Sequence, residues 1–192
     1  MRALKETASP AQTESGRLIY VIGASGAGKD SLLSYARSTL SGGYLFASRY
    51  ITRPADAGGE NHIALSMEEF EHRVEAGLFA LWWRSHDRGY GIGLEIDVWL
   101  KRGMTVIING SRAYLSEALR RYPKLQPLLI EVESDILRQR LQQRGRESEE
   151  EIEKRVERAI QFATLDHPAL SRISNNRTLE EAGEKLLRFI QG

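Results

Sequence analysis

Three groups of residues in this chain have the types and spacing to handle phosphate. The first is Gly23-Ala24-Ser25-Gly26-Ala27-Gly28-Lys29-Asp30-Ser31, a glycine-rich run that ends in a lysine. Such glycines let the backbone wrap closely around a phosphate, so that its N–H groups and the start of a following helix point at the anion. The lysine then reaches the β- and γ-phosphates. Asp30 stands where a serine or threonine usually follows the lysine, and Ser31 comes one position later. The second group is basic: Arg138, Arg140 and Arg144 before Gly145, then Arg146, Arg155 and Arg158. A planar guanidinium suits phosphate oxygens, and Arg140 and Arg144 share one helix face. The third is Arg49 and Arg53, in the segment RYITRP.

Each group has a plainer reading. The first could be an ordinary glycine-rich turn, and the arginines could be solvated charges paired with the glutamates of ESEEEIEKRVER. Asp30 could simply cap a helix. The surrounding elements favour the phosphate reading. Residues 18–22 form a short apolar run that suits a strand covered on both faces. An amphipathic helix begins directly after Lys29, with Leu33, Ala36 and Leu40 on one side. Strand, glycine loop and helix are the context that a phosphate-binding P-loop requires.

The rest of the chain alternates in the same way. Strands are predicted at 44–47, 104–108 and 128–132, with a weaker one at 169–173 and an extended stretch at 78–84. Helices are predicted from the Ser66/Glu69 capping box to Ala76 (burying Met67, Phe70 and Val74), and over 94–102 and 111–122. Further helices run from a Ser134 cap to Arg144, over 149–163, and over 179–190 behind Thr178 and Glu181. Residues 49–59 read as a turn-rich connection and 86–93 as a glycine-rich loop. This alternation predicts an α/β fold with a central parallel sheet covered by helices. Arg49 and Arg53 then fall near the C-terminal edge of the sheet, where open α/β folds bind ligands.

Composition narrows the function. The 192 residues make one domain at 16–192, large enough for a core without staples, behind a loose polar arm at 1–15. The 27 basic and 26 acidic side chains nearly cancel, which gives no reason to expect nucleic acid or a membrane surface as partner. With no cysteine there is neither a disulfide nor a thiolate nucleophile or metal ligand, consistent with a cytoplasmic enzyme. His62, His86 and His167 are scattered and have no metal-ligand spacing. No run approaches the roughly 20 apolar residues that span a bilayer, and no hydrophobic leader is seen. Of the adjacent Trp82 and Trp83, at least one belongs to the core.

The segments GASGAGKDSLL, RYITRP, EEF, GLFAL, YGIG, NGSRAYL and LRQRLQQRGRE together resemble the guanylate-kinase-like P-loop kinases, and within them those that phosphorylate ribose 1,5-bisphosphate. The resemblance runs from about Arg17 to the C-terminus. It implies a nucleoside-monophosphate-kinase-like fold with an acceptor-binding region over about 49–93 and a mobile lid near 140–155. It implies ATP as donor, Mg²⁺, a small sugar bisphosphate as acceptor, 5-phosphoribosyl 1-diphosphate as product, and a place in phosphonate breakdown. Lys29 matches the P-loop lysine, Arg53 the first of two acceptor-phosphate arginines, and Tyr90 a tyrosine on the same phosphate. Arg140, Arg144 and Arg155 match lid arginines, and Asn175-Asn176 lies where such kinases approach the base of ATP.

The departures from the guanylate-kinase pattern concern the acceptor. The second phosphate arginine is Asp56, an acceptor tyrosine is His62, and the guanine-reading glutamate falls on Leu81. Losing that carboxylate weakens guanine recognition, because sites that hydrogen-bond a polar partner discriminate strongly. An acceptor with phosphates and a sugar but no base fits better, and Arg49 could supply charge for one phosphate. The attacking phosphate oxygen is already ionised, so no general base is needed; Asp30 would ligate Mg²⁺ directly or through water. The rivals are a nucleoside monophosphate kinase and a non-catalytic guanylate-kinase-like binding module, against which the intact Gly28-Lys29 and lid arginines speak.

Overall fold

The central strand is β1 (Leu18–Gly23), whose side chains alternate between two cores. The structure is a computed structural model that describes residues 16–55, 62–145, 147–163 and 167–192, without the side chains of 161–163. The expected arm at 1–15, Asp56, the glycines at 58–59 and Arg146 lie outside those residues. On one face of β1, Ile19 and Val21 pack with Leu32, Leu137, Leu141 and Leu186; on the other, Tyr20 and Ile22 pack with Leu81, Trp83, Ile92 and Ile96. This is the burial expected for a parallel strand covered on both sides.

Chain order sets the layers. After β1 come α1 (Lys29–Thr39), β2 (Tyr44–Phe46), β3 (Arg49–Ile51), β4 (His62–Ala64), α2 (Met67–Glu75), β5 (Phe79–Ser85) and β6 (Arg88–Gly93). There follow α3 (Glu95–Lys101), β7 (Thr105–Asn109), a 3₁₀ turn (Arg112–Tyr114), α4 (Leu115–Arg121), β8 (Gln126–Glu131), α5 (Ser134–Arg144), α6 (Glu149–Ala163), β9 (Ser171–Ser174) and α7 (Leu179–Gln191). The main sheet has the order β2-β7-β1-β8-β9, and every pairing in it is parallel. Among the described residues no helix is long and apolar enough to cross a membrane.

A second sheet, ordered β4-β3-β6-β5, corrects the expectation for two segments. Residues 49–51 are a strand rather than part of a connection, and 88–93 are a strand rather than a loop. The glycines of β6 are there for packing. A Cβ on Gly89 would stand 2.6 Å from the Phe70 ring, and one on Gly91 would stand 2.4 Å from the Phe79 ring. His86 and Asp87, with φ of 49° and 56°, form the two-residue turn that joins β5 to β6, the left-handed pair that tight hairpins favour.

Smaller corrections have local causes. Glu133, not Ser134, is the residue before α5, because Ser134 is already helical. Met67 is 43% exposed at the start of α2, while Phe70 is fully buried. Ser66 and Thr178 do cap their helices, accepting from the backbone N–H groups of Glu69 and Glu181. The helix expected at 111–122 is divided into the 3₁₀ turn and α4. Trp83 is 6% exposed and belongs to the second core.

Candidate active site

The P-loop follows β1 and ends where α1 begins. Gly28 has φ of 86°, a left-handed conformation, and a Cβ there would meet Asn175 Nδ2 at 2.4 Å. No side chain caps α1, so the N–H groups of its first turn face the loop, ready for an anion. Lys29 Nζ donates to the carbonyl oxygens of Gly23 and Ala24, both at 2.9 Å. Asn175, 4% exposed, donates from Nδ2 to Ala27 O at 2.8 Å and braces the loop from beneath.

The α5–α6 pair brings its arginines to this loop. Arg140 and Arg144 line a cavity of about 320 Å³ together with Gly26, Gly28, Ser31 and Asn175. Arg140 Nη1 is buried with no hydrogen-bond partner. From α6, Arg155 Nη1 donates to Ser25 Oγ at 2.8 Å. The Glu147 carboxylate, its side chain 7% exposed, pairs with both Arg144 and Arg155. Arg138 is spent elsewhere, on Asp135 and Glu153, where it ties α5 to α6. Arg158 Nη1 donates to His86 Nε2 at 2.9 Å, joining α6 to the tip of the β5–β6 hairpin.

A second cluster lies on the four-stranded sheet. The Arg49 guanidinium sits 5.2 Å from the centre of the Tyr90 ring, which stacks on Trp83 at 5.5 Å. Arg53 Nη2 donates to His62 Nδ1 at 3.0 Å, and His62 Nε2 lies 3.2 Å from Arg53 O. Because arginine only donates, Nδ1 is the acceptor in the first of these contacts. Arg53 Nε is buried without a hydrogen-bond partner. Leu81, 2% exposed, is part of an apolar wall with Trp83. Asp56 lies outside the described residues.

Four residues, three of them in contact with residues of these clusters, were not singled out as site residues by the pattern of the sequence, or were given another place. Asn109 ends β7, and its Nδ2 donates to Asp30 Oδ1 at 3.0 Å. Glu147 is the shared counter-ion of two arginines. Burial lowers the Arg112 pKa to about 10, which leaves it cationic at neutral pH. Asn175 touches the P-loop, while Asn176 accepts from Glu133 N–H at 2.9 Å. A strand ending at the C-terminal edge beside β1 was the available signal for Asn109; a lone glutamate in ESEEE carries none. Burial also pushes the Tyr20 phenol well above its usual range, and its oxygen accepts from Ser111 N–H at 2.9 Å.

The donors present fit a Mg²⁺ ion delivered with phosphate. Among the described residues no group of three or more His, Cys, Asp or Glu could hold a metal. Mg²⁺ needs no such cage, since it keeps waters and uses one or two carboxylates plus substrate phosphates. The exposed Asp30 carboxylate beside the P-loop is a hard oxygen donor of that kind.

The family model for guanylate kinase matches residues 15–192. The chain is 53% identical over 180 residues to ribose 1,5-bisphosphate phosphokinase PhnN of Chromobacterium violaceum, covering 93% of this chain and 96% of that protein. It is 53% identical over 176 residues to the protein of the same name from Desulfomicrobium baculatum, covering 91% and 94%. Among solved structures, guanylate kinase from Anaplasma phagocytophilum superposes with a TM-score of 0.69 at 15% identity, over 92% of this chain and 85% of that one.

Proposed function

The chain belongs to the guanylate kinase family, and on that premise we propose that it transfers the γ-phosphoryl group of ATP to the 1-phosphate of ribose 1,5-bisphosphate. The products are 5-phosphoribosyl 1-diphosphate and ADP. One observation carries the reading: Lys29, Arg140, Arg144 and Arg155 all converge on one glycine loop at a helix start. Four cations around a loop of N–H donors make a site for a polyphosphate. The acceptor follows from relatives that carry its name.

The chemistry asks little of the protein beyond placement and charge. An oxygen of the 1-phosphate attacks the γ-phosphorus, a new P–O bond forms, and the bond to the β–γ bridging oxygen breaks. The nucleophile is ionised at neutral pH, so no side chain has to take a proton. Lys29 leaves its loop carbonyls for the β- and γ-phosphates, and Arg140, Arg144 and Arg155 hold the charge that develops on the moving phosphoryl group. Asp30 would hold Mg²⁺, which would supply positive charge to offset that of the triphosphate. The α5–α6 pair acts as a lid that excludes water. The four-stranded sheet, with Arg53, Arg49 and Tyr90, takes the phosphates of the acceptor.

The test is ADP release with ATP, Mg²⁺ and ribose 1,5-bisphosphate, the product being identified by phosphorus NMR. A pair of coupled diphosphate signals from the sugar product is the expected result. ADP release no faster than without acceptor would overturn the substrate.

A further inference from the structure

P-loop phosphotransferases hold magnesium with a hydroxyl on the P-loop and an aspartate from elsewhere in the fold. In this chain the residue after the P-loop lysine is itself a carboxylate, Asp30. The side chain that faces it is neutral. Asn109 ends β7, directly beside β1 with Asn109 in register with Val21. It is 6% exposed, and its Nδ2 donates to Asp30 Oδ1 at 3.0 Å. One carboxylate and one neutral polar group are present, as in the general pattern, but each stands where the other is expected.

We propose that Asp30 and Asn109 are an exchanged metal pair. Asp30 is the anionic oxygen ligand for Mg²⁺, and Asn109 is the positioning residue that fixes its carboxylate. The proposal rests on the phosphotransferase reading above and adds the residue that reading lacks.

The physics of the pair explains why neither half can change alone. The Asn109 amide holds Oδ1 and fixes the rotamer of a side chain that is otherwise exposed on the first turn of α1. Oδ2 is left for the cation or one of its waters. An aspartate at 109 would set a second carboxylate against the first, and like charges so close cannot both ionise without cost. It would also bury that charge. An aspartate at 109 is therefore tolerable only when position 30 is neutral. The competing view is that the contact simply ties α1 to β7, with Asp30 favourable near a helix start. The two views separate at Asp30→Asn, which keeps an oxygen acceptor for Asn109 and removes only the charge.

The experiment uses Mn²⁺ as the probe, read by electron paramagnetic resonance on the full chain with a non-hydrolysable ATP analogue. No acceptor is needed, so a failed acceptor assay counts against the substrate and not against the pair. D30N should weaken Mn²⁺ binding in the nucleotide complex by ~10-fold or more, and N109A by a comparable factor. For N109A the KM for Mg²⁺ should rise while kcat at saturating Mg²⁺ largely recovers, a split that a simple structural tie would not produce. The exchanged variant D30S/N109D should regain most of the affinity that D30S loses, whereas N109D should not bind better than wild type. Mn²⁺ affinity unchanged in D30N overturns the proposal. So does a folded D30S/N109D that binds no better than D30S; if that variant does not fold, D30N decides.

Discussion

Arg155 Nη1 donates to Ser25 Oγ at 2.8 Å, across 130 residues of sequence. The same guanidinium is 3.3 Å from Glu147, whose carboxylate also holds Arg144. The α5–α6 pair therefore touches the P-loop through Arg155, and a single glutamate is shared between that arginine and Arg144. On the proposed reading, a triphosphate entering this space would compete with Glu147 for both arginines.

The first prediction concerns that glutamate. Glu147→Gln removes the charge that holds the two arginines together, at a cost on the order of 2 kcal/mol in the nucleotide-free chain. Urea unfolding measures it. Hydrogen exchange over 140–155 should be faster in the variant, and saturating nucleotide plus acceptor analogue should slow it in both proteins. Exchange that ignores ligands would show that α5 and α6 are not a lid.

Lys29 gives the second. Its ammonium now bonds two carbonyl oxygens of its own loop, contacts that ATP phosphates would replace. Lys29→Ala should lower kcat by at least ~10², the scale of losing one preorganised charge contact, with little change in the melting temperature. Retention of most turnover would remove the P-loop assignment.

Arg140 separates function from stability. Its Nη1 is buried and without a hydrogen-bond partner, so the folded chain carries an unmatched donor. Arg140→Met keeps the stem and removes that donor, so stability should be equal or higher by about 1 kcal/mol. Turnover should fall by ~10² or more. A clear loss of stability with turnover intact would make Arg140 a structural residue.

These sites differ in how far the sequence exposes them. The P-loop and the lid arginines are legible because local patterns carry them: an apolar strand, spaced glycines, and arginines one helical turn apart. The helix at 149–163 is also legible from its period. The four-stranded sheet is not, since β3 and β4 have three residues each, too short to show a period. The glycines of β6 suggest a loop until Phe70 and Phe79 are seen lying where their side chains would be. Asn109 gains its meaning from Asp30, 79 residues away in the chain, which spacing cannot reveal, and Glu147 is one of several glutamates close in sequence to the same arginines, of which only the fold selects it.

The last prediction is the acceptor. Leu81 is 2% exposed in the core shared with Tyr20 and Trp83, so this position presents no polar atom to a guanine. Arg53 keeps a buried Nε without a partner beside His62, and Arg49 lies over Tyr90, so the charge for phosphate remains. On the proposed reading, recognition would rest on phosphate rather than on a base. We expect kcat/KM for ribose 1,5-bisphosphate to exceed that for GMP by at least ~10³, the scale of losing a polar recognition contact. Leu81→Glu tests whether the position alone sets the choice. A carboxylate in this apolar core should destabilise the chain by on the order of 3 kcal/mol or more, as an unpaired buried charge does, and GMP should still be a poor acceptor. ADP release with each acceptor at equal concentration, alongside urea unfolding, measures both. A stable Leu81→Glu variant that phosphorylates GMP well would mean that this wall faces the base after all, and that one side chain separates the two activities.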